Sequence, residues 1–345
     1  MRALVLHGIG DLRYEEVEIP KIEEDEALIK VKVSGICGSD VPRVMEKGTY
    51  SFPLIPGHEF SGEVVEVRKG KNFHVGDRVG VYPLLPCLSC SYCKRGMYNL
   101  CDSYLYLGSR INGGFAEYVK VPLSNLIHLP PEIGFEEAAL TEPASVALHA
   151  LRRGKIDAGD KVIIFGAGPI GLFCAQWALI MGAFPLVVDI VDEKLEVAKS
   201  LGIFSVFNSL KENLLERIMD ETEGRGADVA VEAAGVSKTV IQCIELVRKR
   251  GKIILLGNIK GSTVLEEKFL SLILRKELNL YGSWNSDFTE LPKNEWKITL
   301  EQMKKGKLQC KSLISHRFKL SEGVEVFKKL NQDKKKFHKV VFILD

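Results

Sequence analysis

Four cysteines, Cys87, Cys90, Cys93 and Cys101, lie in one short run spaced C-x2-C-x2-C-x7-C. Four thiolates so crowded can close a tetrahedral shell around one zinc ion, leaving no coordination position open. Such a site staples a loop and does no chemistry of its own. A second, incomplete set of metal-binding side chains is scattered through the chain. Cys37 lies in Gly35-Ile-Cys37-Gly38-Ser39-Asp40, His58 in Gly57-His58-Glu59, and Glu142 in Thr141-Glu142-Pro143. Taken singly, a buried cysteine is normally a small hydrophobe and a lone histidine is usually structural. Spacing alone does not join these three.

A third feature concerns phosphate. Gly166-Ala-Gly168-Pro169-Ile170-Gly171 is a G-x-G-x-x-G run. It follows an apolar strand predicted over 161–165 and opens a helix predicted over 169–180, which is the context the motif requires. Gly166 permits the tight turn, Gly168 lets a pyrophosphate approach the backbone, and Gly171 lets helix pack on strand. The free N–H groups of the helix start then face the phosphates. Asp189 closes the next predicted strand, where an acid accepts hydrogen bonds from ribose hydroxyls and repels a 2′-phosphate, favouring NAD over NADP. A bare strand-end turn is the competing reading of Asp189.

Two kinds of scaffold must position these groups. The first third of the chain is rich in short strands (27–33, 62–67, 78–81) punctuated by glycine, as in a compact β-barrel or sandwich. After about Pro143 strands and helices alternate. Strands are predicted at 161–165, 185–189, 228–232 and 252–256, with helices such as 192–201 and 239–247 between them. That rhythm specifies a doubly wound parallel sheet. A last strand is predicted at 278–284, then a helix at 295–304, a strand at 316–319, a helix at 321–329 and a terminal strand at 339–344 that returns to the N-terminal domain. The stretch 162–188 holds no charged residue and is long enough to span a bilayer. Its glycines and prolines divide it into strand, turn, helix and strand instead.

Length and composition fit this picture. A chain of 345 residues with 46% hydrophobic and 27% charged residues is an ordinary globular protein of about two domains. A net charge of +2 and the lack of a basic stripe give no sign of a nucleic-acid partner. The Lys334–Lys336 run reads as a solvated face. The first ten residues make no secretory signal, and the cysteine spacing favours metal over disulfides, so the expected compartment is the cytoplasm, away from any membrane.

Taken together, Cys37-Gly-Ser-Asp40, Gly57-His-Glu59, Gly76-Asp-Arg-Val79, the four-cysteine run, Gly113-Gly-Phe-Ala-Glu-Tyr118 and the glycine loop resemble the zinc-dependent medium-chain dehydrogenase/reductase family over essentially the whole chain. Glu142, in Glu142-Pro-Ala-Ser-Val-Ala-Leu-His149, stands where classical alcohol dehydrogenases carry a second cysteine, which resembles the polyol dehydrogenase branch. The resemblance implies a GroES-like β-barrel catalytic domain made of residues 1–150 and 286–345, and a Rossmann domain of residues 151–285. It implies two zinc ions per chain. One is structural, on Cys87, Cys90, Cys93 and Cys101. The other is catalytic, on Cys37, His58 and Glu142, with Glu59 able to join. It further implies oxidation of a secondary hydroxyl with hydride transfer to NAD, the proton leaving through Ser39 or through Glu59 or Glu142, and Asp40 orienting His58 or turning its own loop.

Some runs extend beyond the family motifs. Cys37-Gly-Ser-Asp-Val-Pro-Arg43, Pro83-Leu-Leu-Pro-Cys87, Gly108-Ser-Arg110, and Leu274-Arg-Lys-Glu-Leu278 with Gly282-Ser-Trp284 resemble the polyol-phosphate members of the branch. Ile111-Asn112 departs from them. A phosphorylated substrate needs cationic partners, and Arg43, Lys47 and Arg110 are the candidates. Alternatives are a non-phosphorylated polyol, a vicinal diol or threonine as substrate and, more distantly, a non-enzymatic zinc-stabilised nucleotide-binding protein. The strand at 278–284 resembles the edge through which family members dimerise, so a homodimer is expected, with a tetramer as the larger assembly. Cys174, Cys243 and Cys310 belong to no metal pattern, and Cys174 and Cys243, on predicted helices, are expected in cores.

Overall fold

A computed structural model describes residues 1–69, 72–290, 293–333 and 337–345. The lysine run 334–336 lies outside them. The chain divides into two compact units: Met1–Glu142 with Asp287–Gly306 and Leu313–Asp345, and Pro143–Ser286 with Lys307–Ser312.

The first unit is built on Glu26–Ile36, a long strand of alternating β-branched and polar residues. One side of it pairs throughout with Glu59–Val67. The other side is shared: Glu26 to Lys30 pair with Tyr118–Pro122, and Val33 to Ile36 with the chain's last strand, Lys339–Ile343. Arg78–Val81 and Leu126–His128 extend the sheet beyond Glu59–Val67, and Ile314–Lys319 lies parallel to the last strand at the opposite edge. This seven-stranded, largely antiparallel sheet wraps a core in which Phe115 meets Phe342 and Phe327 edge-on. The N-terminal hairpin Arg2–Gly8/Asp11–Glu16 carries no alternating signal in the sequence: the middle of its first strand, Ala3-Leu-Val-Leu6, is an unbroken apolar run.

The second unit holds a six-stranded, all-parallel sheet ordered Val206–Asn208, Phe184–Asp189, Lys161–Phe165, Ala227–Glu232, Val247–Leu255, Asn279–Gly282. The direction of winding reverses beside Lys161–Phe165, which makes the crevice at its carboxyl end the natural ligand site. The uncharged stretch resolves into strand, glycine loop, the helix Pro169–Ile180 and strand. No helix among the described residues is long and apolar enough to cross a membrane.

The division falls at Glu142/Pro143, inside the helix Thr141–Arg153, rather than at 150/151. On the C-terminal side Lys307–Ser312 goes with the second unit, whereas the resemblance implies the first unit for the whole of 286–345. Its anchor is a reciprocal amide pair: Gln309 N–H donates to Gln176 Oε1 at 2.7 Å, and Gln176 Nε2 donates to the Gln309 carbonyl at 3.2 Å.

Candidate active site

Cys37 follows directly on the central strand Glu26–Ile36. The loop then turns back on itself: Asp40 N–H donates to the Cys37 carbonyl, and Cys37 N–H donates to Asp40 Oδ2, both at 3.0 Å. Asp40 is fully buried, ion-paired to Arg43, and 3.3 Å from His58 Nδ1, off the line of a hydrogen bond. It therefore serves both readings of the sequence, bracing the loop and standing beside His58. Burial raises the pKa of its carboxyl, but the His58 ring, Arg43 and the Cys37 N–H together hold it below the usual carboxylate value.

His58 is placed by Gly57, whose φ of +96° belongs to the left-handed region, and whose missing Cβ makes room for the Phe115 ring. Glu59 opens the next strand opposite Gly35, where a Cβ would lie 2.7 Å from Glu59 Oε2. Glycine at position 35 thus admits the carboxylate. The ligand atoms of Cys37, His58 and Glu59 all lie within 4.8 Å of one another, His58 and Glu59 being buried and Cys37 half-buried. Thiolate, imidazole and carboxylate are a donor set for zinc with a position left open. Burial disfavours charge on His58, yet Asp40 and Cys37 outweigh it and raise its pKa well above the ordinary range.

Glu142 lies beside this group but not within it. It sits in the first turn of the helix Thr141–Arg153, buried, and its Oε1 accepts from the Tyr106 hydroxyl at 3.2 Å. Burial first, then the Glu59 charge, pushes its pKa up to about 7 against the pull of His58, Lys339 and Tyr106. The clustered carboxylate is therefore Glu59, whereas the resemblance implies Glu142 with Glu59 able to join. Ser39 Oγ donates to Cys37 Sγ at 3.3 Å from a half-buried position.

Two contributors went unseen in the sequence. Lys339 Nζ is buried and donates to Glu59 Oε2, and to the Ile36 carbonyl at 3.0 Å. Tyr106 packs its ring 5.6 Å from that of His58. Neither stands in a metal-ligand pattern, and the one available signal was a lysine opening an otherwise apolar terminal strand.

The four-cysteine loop forms a second group. All four sulfurs lie within 4.8 Å of one another, with Cys87 and Cys93 at 3.9 Å. Zn–S bonds of about 2.3 Å in a tetrahedron require S···S edges of about 3.8 Å, so the donors fit. Backbone N–H groups of Cys87, Cys90 and Cys93 donate to the sulfurs of Cys101, Cys87 and Cys90 at 3.2–3.4 Å. Hydrogen bonds from Ser89, side chain and backbone, and from Cys90 and Ser103 draw the Cys87 thiol down to about 5, favouring the thiolate. A cavity of about 830 Å³ beside this loop, lined by Phe73, Tyr82, Leu88, Tyr98 and Phe288, includes none of the Cys37 group.

In the second unit Gly166 has φ +99° and its N–H donates to the Val188 carbonyl at 2.7 Å. A Cβ on Gly171 would lie 1.8 Å from the Gly166 carbonyl oxygen, so only glycine lets helix meet strand there. Space around Gly168 is open, and Pro169 begins the helix, with Ile170 partly exposed. These residues fit a pyrophosphate. Asp189 accepts N–H bonds from Ala167 at 2.7 Å, Ile190 at 2.7 Å and Val191 at 3.0 Å. It is a turn residue and also ties the glycine loop to its own strand end.

Comparison with known proteins agrees with this geometry. The family model for the alcohol dehydrogenase GroES-like domain matches residues 23–131, and that for zinc-binding dehydrogenase matches residues 169–305. The chain is 38% identical to galactitol 1-phosphate 5-dehydrogenase of Escherichia coli strain K12 over 320 residues, 92% of each chain. It is 36% identical to sorbitol dehydrogenase of Bombyx mori over 334 residues, 94% of this chain and 93% of that one. The crystal structure of galactitol-1-phosphate dehydrogenase from Escherichia coli superposes with a TM-score of 0.94 at 35% identity, covering all of both chains. A protein from Sinorhizobium meliloti 1021 assigned as a zinc-binding dehydrogenase, bound to NADP, superposes at 0.92 with 30% identity over 99% of each chain.

Proposed function

The chain belongs to the zinc-dependent medium-chain alcohol dehydrogenase family, and from that premise we propose that it oxidises a secondary hydroxyl of a polyol phosphate to a ketone with NAD. The reaction it fits best is galactitol 1-phosphate to tagatose 6-phosphate. The observation that carries the proposal is the Cys37–His58–Glu59 group, its histidine and carboxylate buried, with Glu142 beside it. A zinc ion held there supplies Lewis acidity that makes a hydroxyl acidic near neutral pH, and NAD supplies the hydride acceptor.

The chain's own residues do the rest. Cys37, His58 and a carboxylate of Glu59 or Glu142 hold the ion. Asp40 steadies both Cys37 and His58. The proton from the substrate hydroxyl passes to Glu59 or Glu142, or outward through the half-buried Ser39 Oγ. Gly166, Gly168, Pro169, Ile170 and Gly171 cradle the cofactor's pyrophosphate. Three backbone N–H groups occupy Asp189 and leave one of its acceptor sites for a ribose hydroxyl. Its negative charge opposes a 2′-phosphate, which supports NAD over NADP. The four cysteines hold the structural zinc.

Similarity to galactitol 1-phosphate 5-dehydrogenase supports a phosphorylated substrate, and similarity to sorbitol dehydrogenase supports the second reading, a free polyol. A homodimer joined at the edge strand Asn279–Gly282, which carries the half-exposed Leu280 and is followed by the half-exposed Trp284, accompanies the proposal, and the cytoplasm is the proposed compartment. Steady-state rates with NAD and with NADP on galactitol 1-phosphate, galactitol, sorbitol, butanediol and threonine test the reading. A higher kcat/KM for any unphosphorylated compound than for galactitol 1-phosphate would reject the phosphate assignment.

A further inference from the structure

The turn after Tyr106 leads from the metal-ligating group to a restrained cation. The Tyr106 side chain faces His58 and Glu142. Its carbonyl accepts the N–H groups of Ser109 at 3.3 Å, Arg110 at 2.9 Å and Ile111 at 3.2 Å. Gly108, at φ +75°, seats this turn against the residue preceding His58: a Cβ there would come within 2.4 Å of the Gly57 carbonyl oxygen. Arg110 is thus fixed at its backbone to the same framework that holds His58.

Its side chain is fixed as well. The guanidinium carbon lies 4.3 Å from the ring centroid of Tyr50 and 4.5 Å from that of Tyr104. The loop carrying Tyr50 is tied down by Thr49 Oγ1, which donates to the Ser109 carbonyl. Two aromatic rings restrain the planar fork and leave N–H donors along its edge, of which one contacts Tyr50 Oη at 3.4 Å. Among the described residues Arg110 has no carboxylate partner. Arg43, by contrast, is committed to the buried Asp40, and Lys47 is exposed on a flexible stem. A fork held in one orientation loses little freedom when it takes a bidentate anion.

We infer that Arg110, clamped between Tyr50 and Tyr104, is the specificity residue that binds the phosphate monoester of the substrate, an assignment that rests on the polyol-phosphate reading above. Arg43 instead positions the Cys37 loop through Asp40.

The test uses the full-length zinc-loaded enzyme with NAD. Arg110→Gln keeps a planar group between the rings and removes the charge; Arg110→Lys keeps the charge and removes the fork. The ratio of kcat/KM for galactitol 1-phosphate to that for galactitol should fall about 10- to 100-fold in Arg110→Gln, mostly through KM, and recover in part in Arg110→Lys. Wild-type enzyme that discriminates, with an Arg110→Gln variant that discriminates equally, overturns the assignment and leaves the polyol-phosphate reading standing. Wild-type enzyme that does not discriminate overturns that reading and this assignment with it. A measurement on the unaltered protein guards against a variant that fails to fold: inorganic phosphate should slow phenylglyoxal modification of Arg110, mapped by peptide mass spectrometry. Unprotected labelling at saturating phosphate would count against the assignment.

Discussion

Lys339, the first residue of the terminal strand, reaches back across the sheet and pairs its buried ammonium with the buried carboxylate of Glu59, 280 residues away. The pair sits against the Cys37 loop, because the same ammonium also binds the Ile36 carbonyl at 3.0 Å. The last strand therefore closes the first unit both through its strand pairing and electrostatically. Burial opposes the charge on Lys339, but Glu59 and Cys37 outweigh it and raise its pKa.

Removing one member of such a pair leaves a bare charge in a low dielectric. Lys339→Met is expected to destabilise the chain by about 3–5 kcal/mol, and Lys339→Met with Glu59→Leu to recover most of the loss. Urea unfolding of the three proteins checks this. A single variant as stable as wild type would mean that Glu59 finds its compensation elsewhere.

Cys37→Ser is expected to abolish turnover while NAD binding persists, and to lower bound zinc from about two equivalents to about one. Cys93→Ser should instead remove the other equivalent and open the loop 87–101 to proteolysis. Metal analysis with limited digestion separates the two sites. Full activity in Cys37→Ser would refute the catalytic-metal assignment.

Asp228 joins three strands of the parallel sheet: it accepts from Arg248 Nε at 2.6 Å and from Lys161 N–H at 2.8 Å. Burial raises its pKa, but the Arg248 bond, the Lys161 N–H and the nearby arginine charges lower it overall. A folded-state pKa below the unfolded value of about 3.9 contributes stability that is present above that value and lost as pH falls through the folded one. Asp228→Asn should therefore be less stable at pH 7, by on the order of 1 kcal/mol after solvent screening, and should show a shallower acid limb. Melting temperatures between pH 7 and pH 3 report it. Parallel curves for the two proteins would exclude the linkage.

If Asp189 is the proposed ribose acceptor, Asp189→Ser should weaken NAD binding roughly tenfold or more and lower the NAD to NADP affinity ratio, since that acceptor and the charge opposing a 2′-phosphate disappear together. Fluorescence titration with both reduced cofactors measures this directly. An unchanged NAD to NADP ratio would leave Asp189 as a turn residue alone.

Local rules made part of this protein legible in its sequence. The four cysteines act within one short loop, and the glycine loop needs only a strand before it and a helix after it, so spacing alone located both. Alternating apolar strands and helices likewise specified the parallel sheet, because burial on both faces leaves a continuous apolar run such as Val162-Ile-Ile-Phe165. Cys37, His58 and Glu142 could be joined only by resemblance, since nothing local relates them. Tertiary structure alone shows that the Glu59 carboxylate clusters with Cys37 and His58 while Glu142 stands beside them, that Lys339 pairs with Glu59, and that Arg43 is committed to Asp40 while Arg110 is held between tyrosines. Those outcomes depend on strand register and on which charges meet in a low dielectric. Pairing Val340 with Ile36 puts Lys339 beside Glu59, a register set by packing across the whole unit rather than by the residues near either one.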